Sequence, residues 1–395
     1  MVNSVSDPRV IILLLDGVGC GELPDAADYG DQGSNTLANL AKAVGGLSLP
    51  NLARLGFGNI IPIQGVPPQE KPQACFGKMA EQSVGKDSTT GHWEIAGLVT
   101  SDPFPLFPHG FPPELVQSLE QAIGRKTIGN KAASGTEIIK ELGDEHLRTG
   151  CPIVYTSADS VMQIACHEDI MPPDELYRVC QKTRGLCTGR FCVGRVIARP
   201  FTGKPGSFTR TARRKDFSCS PPQPTLLDNV KDAGLPVVGI GKVDDLFAAR
   251  GFTETHHSVV NADCSRLTVE AMKKSRTGLI FTNLVQFDMD WGHRNNPAAF
   301  AAGLKEFDDS LPTILNQLDG HDLLFITADH GNDPTTSSTD HSREHVPLLA
   351  LGPGFKSGID LGTRPTFADL GQTASEFLKV KPTAHGTSFL EEIGT

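Results

Sequence analysis

The sequence predicts an α/β protein, a doubly wound core sheet interrupted by a small inserted α+β unit. Three observations carry this expectation. Short, fully apolar runs recur with amphipathic, helix-period segments between them, the pattern of parallel strands covered on both faces. Three of these runs end in acidic or acidic–histidine clusters. Two proline-rich stretches bracket residues 101–219, leaving core segments 1–100 and 220–395 on either side. A chain of 395 residues has room for two such domains.

Taken in order, Val10–Leu15 is a first buried strand that ends at Asp16 and Gly17. The following G-V-G-C-G is not a dinucleotide loop, because the third glycine of G-x-G-x-x-G falls at Glu22. Asn35–Val44 reads as a helix capped by Ser34 or Asn35. Cys75–Val84 alternates weakly and is expected to be a strand. Gly85-Lys86 is no P-loop, since Asp87 stands where Ser or Thr is required. A tight turn there delivers Asp87, Ser88, Thr89 and Thr90 to the start of a helix running to about Leu98. A hydroxyl at that point sits in the positive end of the helix dipole, beside N–H groups that favour phosphate. The same residues also suit an ordinary Ser/Thr N-cap.

The stretch Ser101–Pro113, S-D-P-F-P-L-F-P-H-G-F-P-P, opens the inserted unit. Helices are expected there near Glu114–Ile123, Thr136–Arg148 and Asp174–Lys182, with strands at Ile153–Thr156, Val161–Cys166 and Cys192–Ala198. Arg195, Arg199, Arg210, Arg213, Arg214 and Lys215 then concentrate positive charge in an otherwise acidic chain. Arginine forks grip phosphate oxygens in pairs, so this loop reads as a phosphate clamp, with a solvated basic loop as the alternative for Arg213–Lys215.

After the second proline cluster, Ser220–Pro224, the core resumes with a helix at Thr225–Ala233 and a strand at Pro236–Gly241 ending at Lys242. A helix at Asp263–Lys274 leads to the strand Gly278–Val285, which ends in Q-F-D-M-D-W-G-H-R; Asp288, Asp290 and His293 are its candidate ligands. A long helix, Pro297–Leu318, precedes the strand Leu323–Thr327, and Asp329, His330 and a turn at Gly331 follow that strand. His341, Arg343 and His345 arrive just before a last strand, Val346–Leu351.

Composition excludes several classes. A formal net charge of −10 argues against a nucleic-acid partner. No apolar run reaches bilayer length, and Met1–Arg9 is too short and polar for a signal peptide, so no membrane partner and a cytoplasmic location are expected. The nine cysteines form no C-x-x-C pair; the nearest two, Cys187 and Cys192, have four residues between them, and free buried thiols are expected.

If the strands are parallel, Asp16, Asp288 with His293, and Asp329 with His330 gather at one sheet edge, joined by His341. Carboxylates in contact repel by about 4 kcal/mol per pair at an effective dielectric of about 20. Two divalent cations remove that cost, and mixed oxygen and nitrogen donors suit them. Ser88 would then be a metal-activated nucleophile.

D-G-V-G-x-G-E-x-P-D-A at Asp16–Ala26, G-K-D-S-T-T-G-H-W-E at Gly85–Glu94 and Y-T-S-A-D-S-V at Tyr155–Val161 carry a resemblance, together with G-R-V-I-A-R-P-F at Gly194–Phe201, F-x-x-x-W-G-H-R around His293 and T-A-D-H-G-N-D-P at Thr327–Pro334. From Val10 to about Leu390 the chain resembles the phosphopentomutase family, metal-dependent mutases of the alkaline phosphatase superfamily. The resemblance implies an alkaline-phosphatase-like core with an inserted cap, and interconversion of ribose 1-phosphate with ribose 5-phosphate or their 2-deoxy forms. It implies one manganese on Asp16, Asp329, His330 and the nucleophile, and a second on Asp288, His293 and His341. The family nucleophile is usually the threonine after G-K-D; here Ser88 holds that position and Thr89 is the fallback. Asp159 would lie near the sugar hydroxyls, with Arg195, Arg210 and Lys242 near the substrate phosphate. A glucose 1,6-bisphosphate or pentose bisphosphate primer is implied as well. The competing readings are a cofactor-independent phosphoglycerate mutase or phosphatase of the same superfamily, and a non-catalytic sugar-phosphate sensor.

Overall fold

The computed structural model describes residues 8–157 and 160–394. The chain divides into two compact units, one made of Met1–Asp102 with Pro221–Thr395 and one of Pro103–Ser220. In chain order, the first unit opens with strands β1 (Arg9–Leu15) and β2 (Cys75–Met79). The second unit holds β3 (Ile128–Ala132), β4 (Ile153–Thr156), β5 (Val161–His167), β6 (Arg195–Thr202), β7 (Thr209–Arg210) and β8 (Lys215–Ser218). The first unit then resumes with β9 (Val237–Ile240), β10 (Glu254–His256), β11 (Gly278–Leu284), β12 (Asp322–Thr327), β13 (Val346–Leu351) and β14 (Asp360–Arg364).

The first unit is built on an eight-stranded sheet in the order β10-β9-β11-β1-β12-β13-β2-β14. Its centre is β1, parallel to β11 on one side and β12 on the other, with Leu14 facing Asn283 and Thr327 across the two ladders. All seven residues of β1, all seven of β11 and all six of β12 are buried, which is why they read as largely apolar runs, broken by Thr282 and Asn283 in β11 and by polar residues at the ends of β1 and β12. Only β13 runs against the others, antiparallel to both β12 and β2. The doubly wound α/β core expected from the sequence is therefore present, with one reversed strand. Inside it, Arg9 is fully buried and bonds Asp322 through Nε at 2.8 Å and Nη2 at 2.5 Å, tying the N-terminal ends of β1 and β12.

The second unit carries a mixed sheet in the order β3-β4-β5-β6-β7, with β8 paired to β6. β3, β7, β8, β10 and β14 are additional to the strands that the sequence predicts, and two of the predicted strands end elsewhere than expected. β2 ends at Met79: the Ala80 N–H still donates to the Arg364 carbonyl at 2.9 Å, but those of Gln82 and Ser83 turn away to the buried Glu94 carboxylate. β6 runs on to Thr202, past Pro200. Proline is tolerated there because the β8 ladder ends at Ala198↔Lys215 and the β7 ladder begins at Phe201↔Arg210, leaving a gap where no N–H is required. Among the described residues no helix is long and apolar enough to cross a membrane.

Candidate metal centre and active site

Parallel pairing puts the C-terminal ends of β1, β11 and β12 side by side, and the acidic residues beyond them meet. Asp16 directly follows β1 and is 2% exposed; Asp329, two residues beyond β12, is fully buried. The Gly17 N–H donates to Asp329 Oδ1 at 3.1 Å, locking the two turns together. Beyond β11 the backbone enters one wide helical turn, Phe287–Gly292, in which the His293 N–H reaches back five residues to the Asp288 carbonyl at 3.0 Å. On a regular helix residues five apart are splayed by about 140°. The widened turn brings them together, with His293 Nε2 at 3.2 Å from Asp288 Oδ2.

Two clusters of ligand atoms result: Asp16, His92 and Asp329, and Asp288, His330 and His341. His330 belongs to both, because its Nε2 is 3.3 Å from Asp329 Oδ2 and 3.5 Å from Asp16 Oδ1 while its ring lies 4.0 Å from that of His341. His341 Nε2 is 3.3 Å from Asp288 Oδ1. The same His330 Nε2 meets Ser88 Oγ at 3.0 Å. All six predicted metal ligands and the predicted serine are thus neighbours.

Ser88 is the first residue of the helix Ser88–Ile95. Its cap is neither serine nor threonine. Asp87 takes that role, accepting from the Thr89 and Thr90 N–H groups at 3.0 and 3.1 Å. Two of the N–H groups expected to await phosphate are therefore occupied, and the Ser88 hydroxyl is left for the cluster. Thr89 is buried and contributes its N–H to that cap.

Burial pushes the Asp16 carboxyl well above the usual range, and Asp329 and Asp288 push it further, with Lys242 opposing. Burial also works against charge on Asp329 and Asp288, yet His330 and His92 hold Asp329 below the ordinary value, and His341, His293 and His330 hold Asp288 well below it. Asp16 Oδ1, Asp329 Oδ2, His92 Nε2 and His341 Nε2 are buried without a hydrogen bond. Buried polar atoms are rarely left this way; three of the four are oxygen and imidazole donors of the two clusters, while His92 turns its Nδ1 rather than Nε2 to Asp329 Oδ2, at 3.0 Å.

A model of the Metalloenzyme superfamily matches residues 8–382. The phosphopentomutase of Dictyoglomus thermophilum is 60% identical over 385 residues, covering 98% of both chains. That of Clostridium novyi is 55% identical over 98% of this chain and 99% of its own. The chain belongs to the phosphopentomutase family. This phosphopentomutase-family chain also overlays the PH0037 protein of Pyrococcus horikoshii with a TM-score of 0.50 at 15% identity, covering 95% and 98% of the two chains, a likeness of fold alone.

Membership of a metalloenzyme superfamily and the orphaned donor set agree: the family member uses divalent metal, and its residues fit one. The phosphopentomutase-type site also contains residues that pattern reading did not select. His92, one helical turn after Ser88, points Nδ1 at the Ser88 carbonyl at 2.8 Å and at Asp329 Oδ2 at 3.0 Å. Its i,i+4 spacing from Ser88 was the available signal. Asn332 donates from Nδ2 to Asp288 Oδ1 at 2.6 Å, and only folding places it there.

Asp290 accepts from Gln286 Nε2 at 3.0 Å rather than joining a cluster. Gly331 is not in a left-handed conformation; it is needed because a Cβ would sit 2.4 Å from Glu344 Oε1. Arg343 is a structural clamp on Asp25 and Glu81 at 3.0 and 2.7 Å. In the second unit Arg213 pairs with Glu168 and Arg214 with Asp216, so that part of the basic loop serves local structure. Arg195 lies 3.5 Å from Asp216, while Arg210 shares with Arg199, Arg214, Thr136 and Phe208 the wall of a cavity of about 570 Å³. Lys242 precedes the short helix Val243–Leu246 in the first unit, near enough to Asp16 to lower its pKa. Asp159 lies outside the described residues.

Proposed function

We propose that this phosphomutase interconverts ribose 1-phosphate and ribose 5-phosphate, and the 2-deoxyribose forms, through a phosphoserine at Ser88. The observation that carries the reading is the 3.0 Å approach of Ser88 Oγ to His330 Nε2, at a helix start and against three buried carboxylates. The phosphopentomutase name of relatives at 54–60% identity favours pentose phosphates over phosphoglycerate, and a hydroxyl in that position favours an enzyme over a sensor.

In this reading phospho-Ser88 gives its phosphoryl group to the free hydroxyl of a pentose monophosphate. One P–O bond to Ser88 breaks, one to the sugar forms, and a transient bisphosphate results. The second phosphate of that bisphosphate then returns a phosphoryl group to Ser88 Oγ, so the enzyme ends as it began. Arg195, Arg210 and Lys242 are proposed to hold the substrate phosphate and Asp159 the sugar hydroxyls, with positive charge meeting the oxygens of the moving group. A glucose 1,6-bisphosphate or pentose bisphosphate primer supplies the first phosphoryl group.

Asp16, Asp329, His330 and Ser88 would hold one manganese, and Asp288, His293 and His341 a second. When bound, the pair of ions supplies charge stabilisation to the attacking and leaving oxygens of an in-line displacement. His92 orients Asp329 and the first turn of the helix that bears Ser88. The substrates are small water-soluble sugar phosphates, and we place the reaction in the cytoplasm.

The test compares Ser88→Ala with Thr89→Ala. The first is expected to lose interconversion of the pentose phosphates and to gain no phosphoryl mass on incubation with glucose 1,6-bisphosphate, whereas the second gains it. Turnover by Ser88→Ala at the wild-type rate would end the phosphoserine reading.

A further inference from the structure

Away from the acidic clusters, the second unit brings together two cysteines separated by 26 residues of chain. Cys192, in the loop before β6, and Cys219, just beyond β8, are both half-buried, with their sulfurs 2.6 Å apart. The β6–β8 ladder produces this meeting. Arg195 pairs with Ser218, and the Cys219 N–H then donates to the Gly194 carbonyl at 2.8 Å, carrying the pairing one step further. Arg184 fixes the approaching loop: its guanidinium donates to the carbonyls of Val193 and Cys187, both at 2.5 Å, and stands 3.6 Å from Cys192 Sγ.

We propose that Cys192 and Cys219 form a reversible disulfide, a thiol-modification site whose co-reactant is a low-molecular-weight disulfide. Cys192 is the attacking sulfur. The hydrogen bond from Cys219 lowers its pKa to about 6 against the effect of burial, with help from the Arg184 charge, whereas Cys219 is pushed up. A thiolate beside a guanidinium is the reactive form. The Cys192 thiolate displaces one thiol from the small disulfide and forms a mixed disulfide. Cys219 then loses its proton and displaces the second thiol. Two S–H bonds and one S–S bond are exchanged for the Cys192–Cys219 bond and two small thiols, and both electrons leave with those thiols.

The bond staples the last residues of the second unit, which ends at Ser220, onto the start of β6. Arg195 opens that strand, and its partner Asp216 lies on β8, so the modification sets how freely this arginine-bearing ladder end opens.

The reduced full-length protein is exposed to oxidised glutathione, blocked with iodoacetamide under denaturing conditions and mapped by mass spectrometry. The expected product is a peptide pair joined through Cys192 and Cys219, two hydrogens lighter, reversed by dithiothreitol, with the seven other cysteines alkylated. Cys219→Ser is expected to stop at a glutathione adduct on Cys192. Amide exchange at 194–196 and 217–219 is expected to slow by about tenfold on oxidation. Complete alkylation of both wild-type cysteines at excess oxidant, a Cys187–Cys192 link, or unchanged exchange in the cross-linked protein would overturn the proposal; the first two need no variant.

Discussion

Asn332 anchors Asp288: its Nδ2 donates to Asp288 Oδ1 at 2.6 Å, and its own N–H is held by the Gly17 carbonyl at 2.8 Å. The amide therefore links the turns after β1, β11 and β12 and leaves Asp288 Oδ2 facing His293. Partners that orient a ligating carboxylate contribute to metal affinity without touching the ion. Asn332→Ala is expected to weaken one of two divalent sites by about 10- to 100-fold, the range typical of such partners. Isothermal titration with manganese checks this, and two sites of unchanged affinity would refute it.

Metal removal follows from the same crowding. With Asp16 and Asp329 buried in one cluster and Asp288 in the adjoining one, the metal-free protein keeps mutually repelling carboxylates out of water. Exhaustive chelation is expected to lower the melting temperature. Refilling at about 100 times the dissociation constant returns about 2.7 kcal/mol per site by mass action. Elemental analysis of the refilled protein should count two ions per chain, falling to one in Asp288→Asn. A chelated protein that melts at the same temperature as the refilled one would contradict this.

Glu344 gives the protein a pH dependence of the less common sign. It is buried beneath the metal turn, accepting from the Gly21 and Thr36 N–H groups at 3.0 and 2.9 Å and from the Thr36 and Ser342 hydroxyls, both at 2.7 Å. Burial outweighs these bonds and raises its pKa from 4.5 to about 7. The native state therefore holds a proton that the unfolded chain releases. This contribution is complete below pH 4.5 and is lost as pH rises to about 7, by roughly 3 kcal/mol at about 1.4 kcal/mol per pH unit. The amide in Glu344→Gln imitates the protonated carboxyl, its oxygen toward the two N–H groups and its nitrogen toward the hydroxyls. Denaturant titrations at pH 5 and pH 8 should show the variant gaining on wild type by a few kcal/mol between the two. Parallel pH profiles for both proteins would show that Glu344 is already ionised at pH 5.

What could be read from residues alone was set by burial. β1, β11 and β12 are covered on both faces, so their apolar runs were visible, and the acidic residues at their ends had nowhere to go but one edge. The reversal of β13 leaves no trace in composition, because a buried strand has the same residues in either direction. β14 escaped for the opposite reason: three of its five residues are exposed, and Gly362 interrupts the pattern. His92 and Asn332 act through contacts across 237 and 44 residues of sequence separation, to Asp329 and Asp288. No local spacing encodes such partners. The Cys192–Cys219 pair is hidden in the same way, since 26 residues of chain separate the two and the β6–β8 ladder brings them together.

Gly91 tests whether the serine helix must lie against Asp329. It sits in the middle of Ser88–Ile95, and a Cβ built there would be 2.1 Å from the Asp329 carbonyl oxygen and 3.0 Å from Asp329 Cβ. Helix propensity alone favours alanine over glycine by about 1 kcal/mol, so a purely local view predicts a more stable protein. The clash opposes this with backbone, which cannot rotate aside as a side chain can, and overpacking of this kind costs about 1–3 kcal/mol. Relief requires the helix to slide away from β12, taking Ser88 from His330 and His92 from Asp329. Displacing reacting groups by about 1 Å can cost about 100-fold in rate. Gly91→Ala is therefore expected to keep its circular-dichroism spectrum, melt slightly lower and lose about 100-fold in kcat with a much smaller change in KM. Rates within threefold of wild type would mean that the helix and the metal turn need not touch for the phosphoryl group to move.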